Sequence, residues 1–231
     1  MIITLDGPAG AGKSTVAKLL AQRLSERLNK TFKYLDTGSM YRAVTLLGIR
    51  NGVDWQRPEQ LERLAERAVI MFRDSRTLLN GEDVTEAVRS PAVTESSQFA
   101  ANNPAIRQMM VEQQRCIAQT FLAENRGLVT EGRDQGTLVF PDAACKFFLT
   151  ATPEERTRRR LGELHQRGIA GEFGEIHRQI TERDERDAAR SVGPLCEPSD
   201  AHRILSDGMT IDDVVERMIE FCRNSVKKRN Y

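Results

Sequence analysis

The stretch Gly7-Pro8-Ala9-Gly10-Ala11-Gly12-Lys13-Ser14-Thr15 has glycines at both ends of a six-residue turn, followed by a lysine and two hydroxyls. That spacing suits one task, the holding of a polyanionic phosphate chain. Glycines let successive backbone N–H groups turn inward as an anion cradle. A helix starting near Lys13 aims the positive end of its dipole at the same point. Lys13 adds a mobile charge for the outer phosphates, and Ser14 offers an oxygen ligand to Mg²⁺. The expected donor site is therefore Gly7, Pro8, Ala9, Gly10, Ala11, Gly12, Lys13, Ser14 and Thr15, with Ser14 as metal ligand. The competing reading, a glycine-rich turn that binds nothing, does not account for the lysine and the hydroxyls.

Such a cradle leaves the acceptor open. No N-K-x-D guanine motif occurs, and no apolar run ends in Asp-Glu as in a motor ATPase. Three other clusters follow instead. Asp36-Thr37-Gly38-Ser39-Met40-Tyr41-Arg42 comes after an apolar run and places Arg42 to hold an anion. Glu131-Gly132-Arg133-Asp134-Gln135-Gly136-Thr137 offers a phosphate fork beside a carboxylate that can accept from an exocyclic amine. In Glu182 to Arg190, the residues Arg183, Asp187 and Arg190 stand at helical spacing and are expected on one helix face. Each cluster has a plainer alternative: a solvated helix residue, a structural Arg–Asp turn and a solvated charged face.

Composition narrows the class. The chain has 231 residues, 29% charged and 39% apolar, with net charge +1. That balance does not drive a protein onto nucleic acid or membrane. Arginine outnumbers lysine by 27 to 7, and ten of the arginines lie from Arg133 to Arg190. Codon bias explains a high count but not that placement. Cys116, Cys145, Cys196 and Cys222 form no C-x-x-C pair, and His165, His177 and His202 are scattered among them, so zinc-site spacing is absent. They read as free thiols. With no run of 18 apolar residues and no signal-peptide pattern, a cytoplasmic location is expected.

The elements that must position these clusters alternate. Ile2–Asp6, Phe32–Leu35, Leu128–Thr130, Cys145–Leu149 and Ala201–Leu205 read as five strands. Helical periodicity covers Lys13 to about Leu28, Ser39 to Arg50, Pro58 to Ala68, Pro104 to Glu124, Pro153 to Gln166 and Phe173 to Arg190. A last helix is capped at Thr210. The fold expected is three-layer α/β/α with a parallel sheet. Val69–Arg73, Thr77–Gly81 and a piece starting at Val84 interrupt it as a small antiparallel element. The domain expected is one unit of 1–231. Its core is 1–54, 93–166 and 192–231, with an insertion at about 55–92 and a glycine-bearing lid at about 167–191.

Taken together, GPAGAGKST, DTGSMYR, the inserted β element, EGRDQGT and ERDERDAAR closely resemble the bacterial cytidylate kinases, a P-loop nucleoside monophosphate kinase family. The resemblance runs over essentially the whole chain. It implies a five-stranded parallel sheet and transfer of the ATP γ-phosphoryl group to CMP or dCMP with Mg²⁺, in a monomer. It also implies that Thr37 and Arg42 touch the acceptor nucleotide. Ser97, Arg107 and Asp134 would read the cytosine edge. Arg133 and Arg190 would hold phosphate, and Arg183 and Asp187 would contact the sugar. Lys13, Arg133, Arg183 and Arg190 are then the catalytic set. Arginines between Arg156 and Arg160, Arg159 among them, would close over ATP. The chain departs from the family pattern at Glu131, where Asp is usual, and at Thr37, where Ser is common. A kinase for a sugar or shikimate-like acid, and a nucleotide switch without transfer, are the rival readings.

Overall fold

A computed structural model of the chain describes residues 1–73, 76–166 and 168–229, with the side chains of 226–229 left aside. Asp74 and Ser75, the expected hairpin turn, and Arg167, where the expected lid starts, lie outside the described residues. The chain divides into two compact units, Met1–Tyr34 with Phe121–Tyr231, and Leu35–Thr120.

The first unit is built on a five-stranded sheet flanked by helices. Its strands are β1 (Ile2–Asp6), β2 (Phe32–Asp36), β6 (Gly127–Gly132), β7 (Cys145–Thr150) and β8 (His202–Leu205), in the order β2-β6-β1-β7-β8. β1 pairs in parallel with β6 and β7, and β7 with β8. Central position explains the composition of β1: Ile3 and Leu5 are fully buried, as a strand covered on both faces requires. Helix α1 (Lys13–Leu28) lays Val16, Leu20 and Leu24 on the sheet at i, i+4, i+8. The C-terminal α8 (Ile211–Arg229) adds Val214, Val215 and Met218 to the same core. Its start is closed reciprocally. Thr210 N–H donates to Asp213 Oδ2 at 3.0 Å, and Asp213 N–H donates to Thr210 Oγ1 at 3.2 Å. Helices α6 (Pro153–Gln166) and α7 (Phe173–Ala188) pack on each other.

The second unit holds α2 (Thr37–Arg50), α3 (Pro58–Arg67) and α4 (Pro91–Ala101), most of α5 (Pro104–Ala123), and a three-stranded antiparallel sheet. That sheet comprises β3 (Ile70–Arg73), β4 (Arg76–Leu79) and β5 (Glu82–Asp83). Its core includes Leu61, Ile70, Leu79, Val88, Val93 and Ile106.

Four local expectations change. Helix α4 escapes periodicity because only Val93 and Ala100 of its eleven residues are buried. Its start is nevertheless signalled by the Ser90 cap and Pro91. Val84 does not open a strand; it follows β5 and donates its N–H to Thr77 O at 2.9 Å. Gln135–Val139 winds as a single π-helical turn, with Val139 N–H reaching Asp134 O at 3.1 Å and Phe140 N–H reaching Gln135 O at 2.7 Å. Finally, α7 stops at Ala188, so Arg190 lies beyond the helix rather than on its face.

Candidate functional site

The cradle forms where β1 ends and α1 begins. Gly7 is required by a close approach: a Cβ there would sit 1.9 Å from the carbonyl oxygen of Leu149. Gly12, with φ of 84°, caps α1 in the left-handed region. Lys13 is buried and donates to Pro8 O at 2.7 Å. Burial, the nearby Arg133 and also Arg183 push its ammonium down to about 7, against the pull of Glu131 and Asp187. An anionic phosphate chain would restore its charge.

Behind the cradle stand two carboxylates from neighbouring strands. Glu131, on β6, accepts from Ser14 Oγ at 2.5 Å and from Tyr34 Oη at 3.1 Å. A serine hydroxyl and a carboxylate are hard oxygen donors of the kind Mg²⁺ takes alongside substrate phosphates. Among the described residues no group of three or more His, Cys, Asp or Glu could hold a metal. Asp6, the last residue of β1, accepts Gln135 N–H at 2.8 Å and Gly136 N–H at 2.7 Å. Full burial pushes its carboxyl up to about 7 despite those two bonds. Asp6 thereby ties the end of β1, one residue before the cradle, to the π-helical turn that follows Asp134.

On the same unit, three guanidiniums gather round one carboxylate. Asp187 Oδ2 accepts from Arg133 Nε at 2.7 Å, and Asp187 Oδ1 pairs with Arg190. Burial opposes ionisation of Asp187, but Arg133, Arg190 and Arg183 outweigh it and hold the carboxyl below its ordinary value. Burial likewise opposes charge on Arg133, and Asp187, with Glu131 and Asp184, more than offsets it. Asp134, next to Arg133 in the chain, is buried. Lys13, Arg133, Arg183, Asp187 and Arg190 therefore form one electrostatic cluster, and Arg190 joins it by folding back after the helix end.

The arginines of α6 divide. Arg156 is buried and serves the cradle itself, donating to Ala9 O at 3.0 Å and to Ala151 O at 3.0 Å. Arg159 lies against the segment after β8, donating to Ser206 Oγ at 3.0 Å and Ser206 O at 2.8 Å, and pairs with Glu155.

The second unit carries its own constellation at the start of α2. Asp36 caps the helix, accepting Ser39 N–H at 2.9 Å and Ser39 Oγ at 2.6 Å. Arg42 Nη2 reaches Asp36 at 3.2 Å and Ser39 Oγ at 2.9 Å, while its buried Nε has no hydrogen-bond partner among the described residues. Thr37 is buried in the first turn. Arg107, on α5, is almost fully buried with its guanidinium 5.4 Å from the Tyr41 ring centre and one N–H on Ala101 O at 3.0 Å. Ser97 turns its hydroxyl onto Thr94 O at 2.8 Å, within its own helix. Sequence reasoning passed over Asp6, Tyr34 and Asp184. Asp6 alone carried a signal, an acidic residue ending a buried strand.

The family model for cytidylate kinase matches residues 3–224. The cytidylate kinase of Rhodopirellula baltica is 44% identical over 227 residues, covering 98% of this chain and 94% of that one. That of Pelotomaculum thermopropionicum is 46% identical over 222 residues, covering 94% and 93%. A bifunctional pantoate ligase/cytidylate kinase of Synechococcus elongatus is 44% identical over 96% of this chain, which spans only 42% of that longer protein.

Proposed function

The chain belongs to the cytidylate kinase family, and on that premise we propose that it transfers the γ-phosphoryl group of ATP to CMP or dCMP, giving ADP and CDP or dCDP. As a nucleoside monophosphate kinase it has a phosphate, not a hydroxyl, as its nucleophile. A phosphate oxygen needs no strong general base. Catalysis then rests on alignment and on neutralising charge as the phosphoryl group moves.

The observation that carries this reading is the cation cluster on the first unit. Lys13 belongs to the cradle, and Arg133, Arg183 and Arg190 crowd the same field around Asp187. One nucleotide would be served by the cradle alone. In the proposal, Gly7 to Thr15 binds the donor, and Arg159 beside Ser206 contributes to the donor end. Lys13, Arg133, Arg183 and Arg190 neutralise the transferring group. Arg133 and Arg190 exchange part of their hold on Asp187 for acceptor phosphate, and Arg183 and Asp187 contact its sugar. Thr37 and Arg42 hold the acceptor, and Ser97, Arg107 and Asp134 read its base. Mg²⁺, held by Ser14 with Glu131 and the donor phosphates, would supply charge neutralisation on the phosphate oxygens. The residues at about 167–191 act as a lid and those at about 55–92 as an acceptor-binding insertion, both excluding water. No helix among the described residues is long and apolar enough to cross a membrane. We assign the enzyme to the cytoplasm, as a monomer acting in pyrimidine nucleotide metabolism.

An acceptor panel with MgATP, read by coupled ADP release, tests the assignment. CMP and dCMP should support turnover well above UMP, AMP, shikimate or sugars. A rate independent of every nucleoside monophosphate, or a preference for a non-nucleotide, would overturn it.

A further inference from the structure

A closed ring of hydrogen bonds grips one residue of the cradle. Ala9 N–H donates to Asp184 Oδ1 at 3.1 Å. Asp184 Oδ2 pairs with Arg156 Nη1. The same Nη1 donates to Ala9 O at 3.0 Å, and Arg156 Nε is anchored on Ala151 O at 3.0 Å. Both polar backbone atoms of Ala9 are thus satisfied by side chains from two helices, α6 and α7. The contact extends to the next residue, since a Cβ on Gly10 would lie 3.3 Å from Arg156 Cβ.

Two physical consequences follow. The peptide planes on either side of Ala9 cannot turn without breaking the ring, and the direction of the cradle's N–H groups is what makes it an anion site. The ring also depends on Asp184. Arg156 is only 5% exposed, and a guanidinium so buried that loses its carboxylate becomes an uncompensated charge. We propose that Asp184 is a positioning residue for the phosphoryl donor: through Arg156 it fixes the backbone at Ala9 and so holds the rim of the cradle in register. The inference rests on the reading of Gly7 to Thr15 as the donor site. It also docks α7, which bears Arg183 and Asp187, onto the cradle through a residue adjacent to Arg183.

The test compares wild type with Asp184→Asn, which keeps size but not charge, and with Arg156→Lys, which keeps charge but not the fork. Binding of a non-hydrolysable ATP analogue with Mg²⁺ is measured by calorimetry, with thermal melting and steady-state kinetics alongside. Both variants should weaken analogue binding about tenfold and raise the donor KM in step. The KM for CMP at saturating donor should rise less than the donor KM does. The double variant should be no weaker than the worse single one, as members of one ring are not additive. Unchanged analogue affinity with a lowered melting temperature would make the ring merely structural and overturn the proposal. So would tighter binding by Asp184→Asn, which would mean that the carboxylate competes with phosphate. Absence of binding by wild type would instead remove the donor-site reading, and the proposal with it.

Discussion

The arginines round the start of α2 and the cation cluster round Asp187 handle charge in different ways. In Leu35–Thr120, Arg42 answers one carboxylate, Asp36, across 3.2 Å, and Arg107 rests on the Tyr41 ring and a backbone carbonyl. In the other unit Arg133 and Arg190 share Asp187, Arg183 adds to the same field, and crowding helps to push Lys13 down to about 7. Charge paired one to one with its own carboxylate suits the recognition of a bound molecule. Charge crowded past comfort suits a step in which negative charge develops and relieves it. The difference predicts which kinetic constant each unit governs.

Lys13→Met should give the largest effect, a loss of kcat of about a hundredfold or more. A loss confined to donor KM would reduce Lys13 to a binding residue. Next, Arg133→Ala and Arg190→Ala should each lower kcat at least about tenfold, near 1.4 kcal/mol. Arg42→Ala should act chiefly on the KM for CMP. If Arg42→Ala instead lowers kcat as much as Arg133→Ala does, the division between units fails. Asp134→Ala should erode the preference for CMP over UMP by up to about tenfold, and unchanged rates for both would refute its assignment to the base.

How far these roles were legible depends on sequence separation. The cradle is nine consecutive residues, so its chemistry shows in the letters, and the five parallel strands show as short apolar runs between helices. Helix α4 was hidden because it buries only two of its side chains. The π-helical turn after β6 was hidden because it is set by bonds from Asp6, some 129 and 130 residues away. The ring at Ala9 joins residues 147 and 175 positions apart, and no local pattern marks Asp184 within a run already dense in charge. Arg190 was placed in the right company for the wrong reason: helical spacing suggested it, but an ion pair beyond the helix end brings it to Asp187.

The smallest predicted effect concerns protons. Lys13 with its ammonium near 7 is mostly neutral at pH 8, and bound phosphate would favour the charged form. Donor binding at pH 8 should therefore take up a fraction of a proton, approaching about one, and at pH 6 almost none from this group. Calorimetry in buffers of different ionisation enthalpy reads the uptake, and Lys13→Met should abolish it. Equal uptake at both pH values would show that Lys13 is already charged.

The proposed transfer requires that this protein bind two phosphorylated nucleotides together. Titration of CMP into wild-type protein saturated with a non-hydrolysable ATP analogue and Mg²⁺ tests it most directly. One CMP should bind per chain, with affinity lost on Arg133→Ala. Uptake of the triphosphate analogue with no heat from CMP, dCMP or any other nucleoside monophosphate would contradict it.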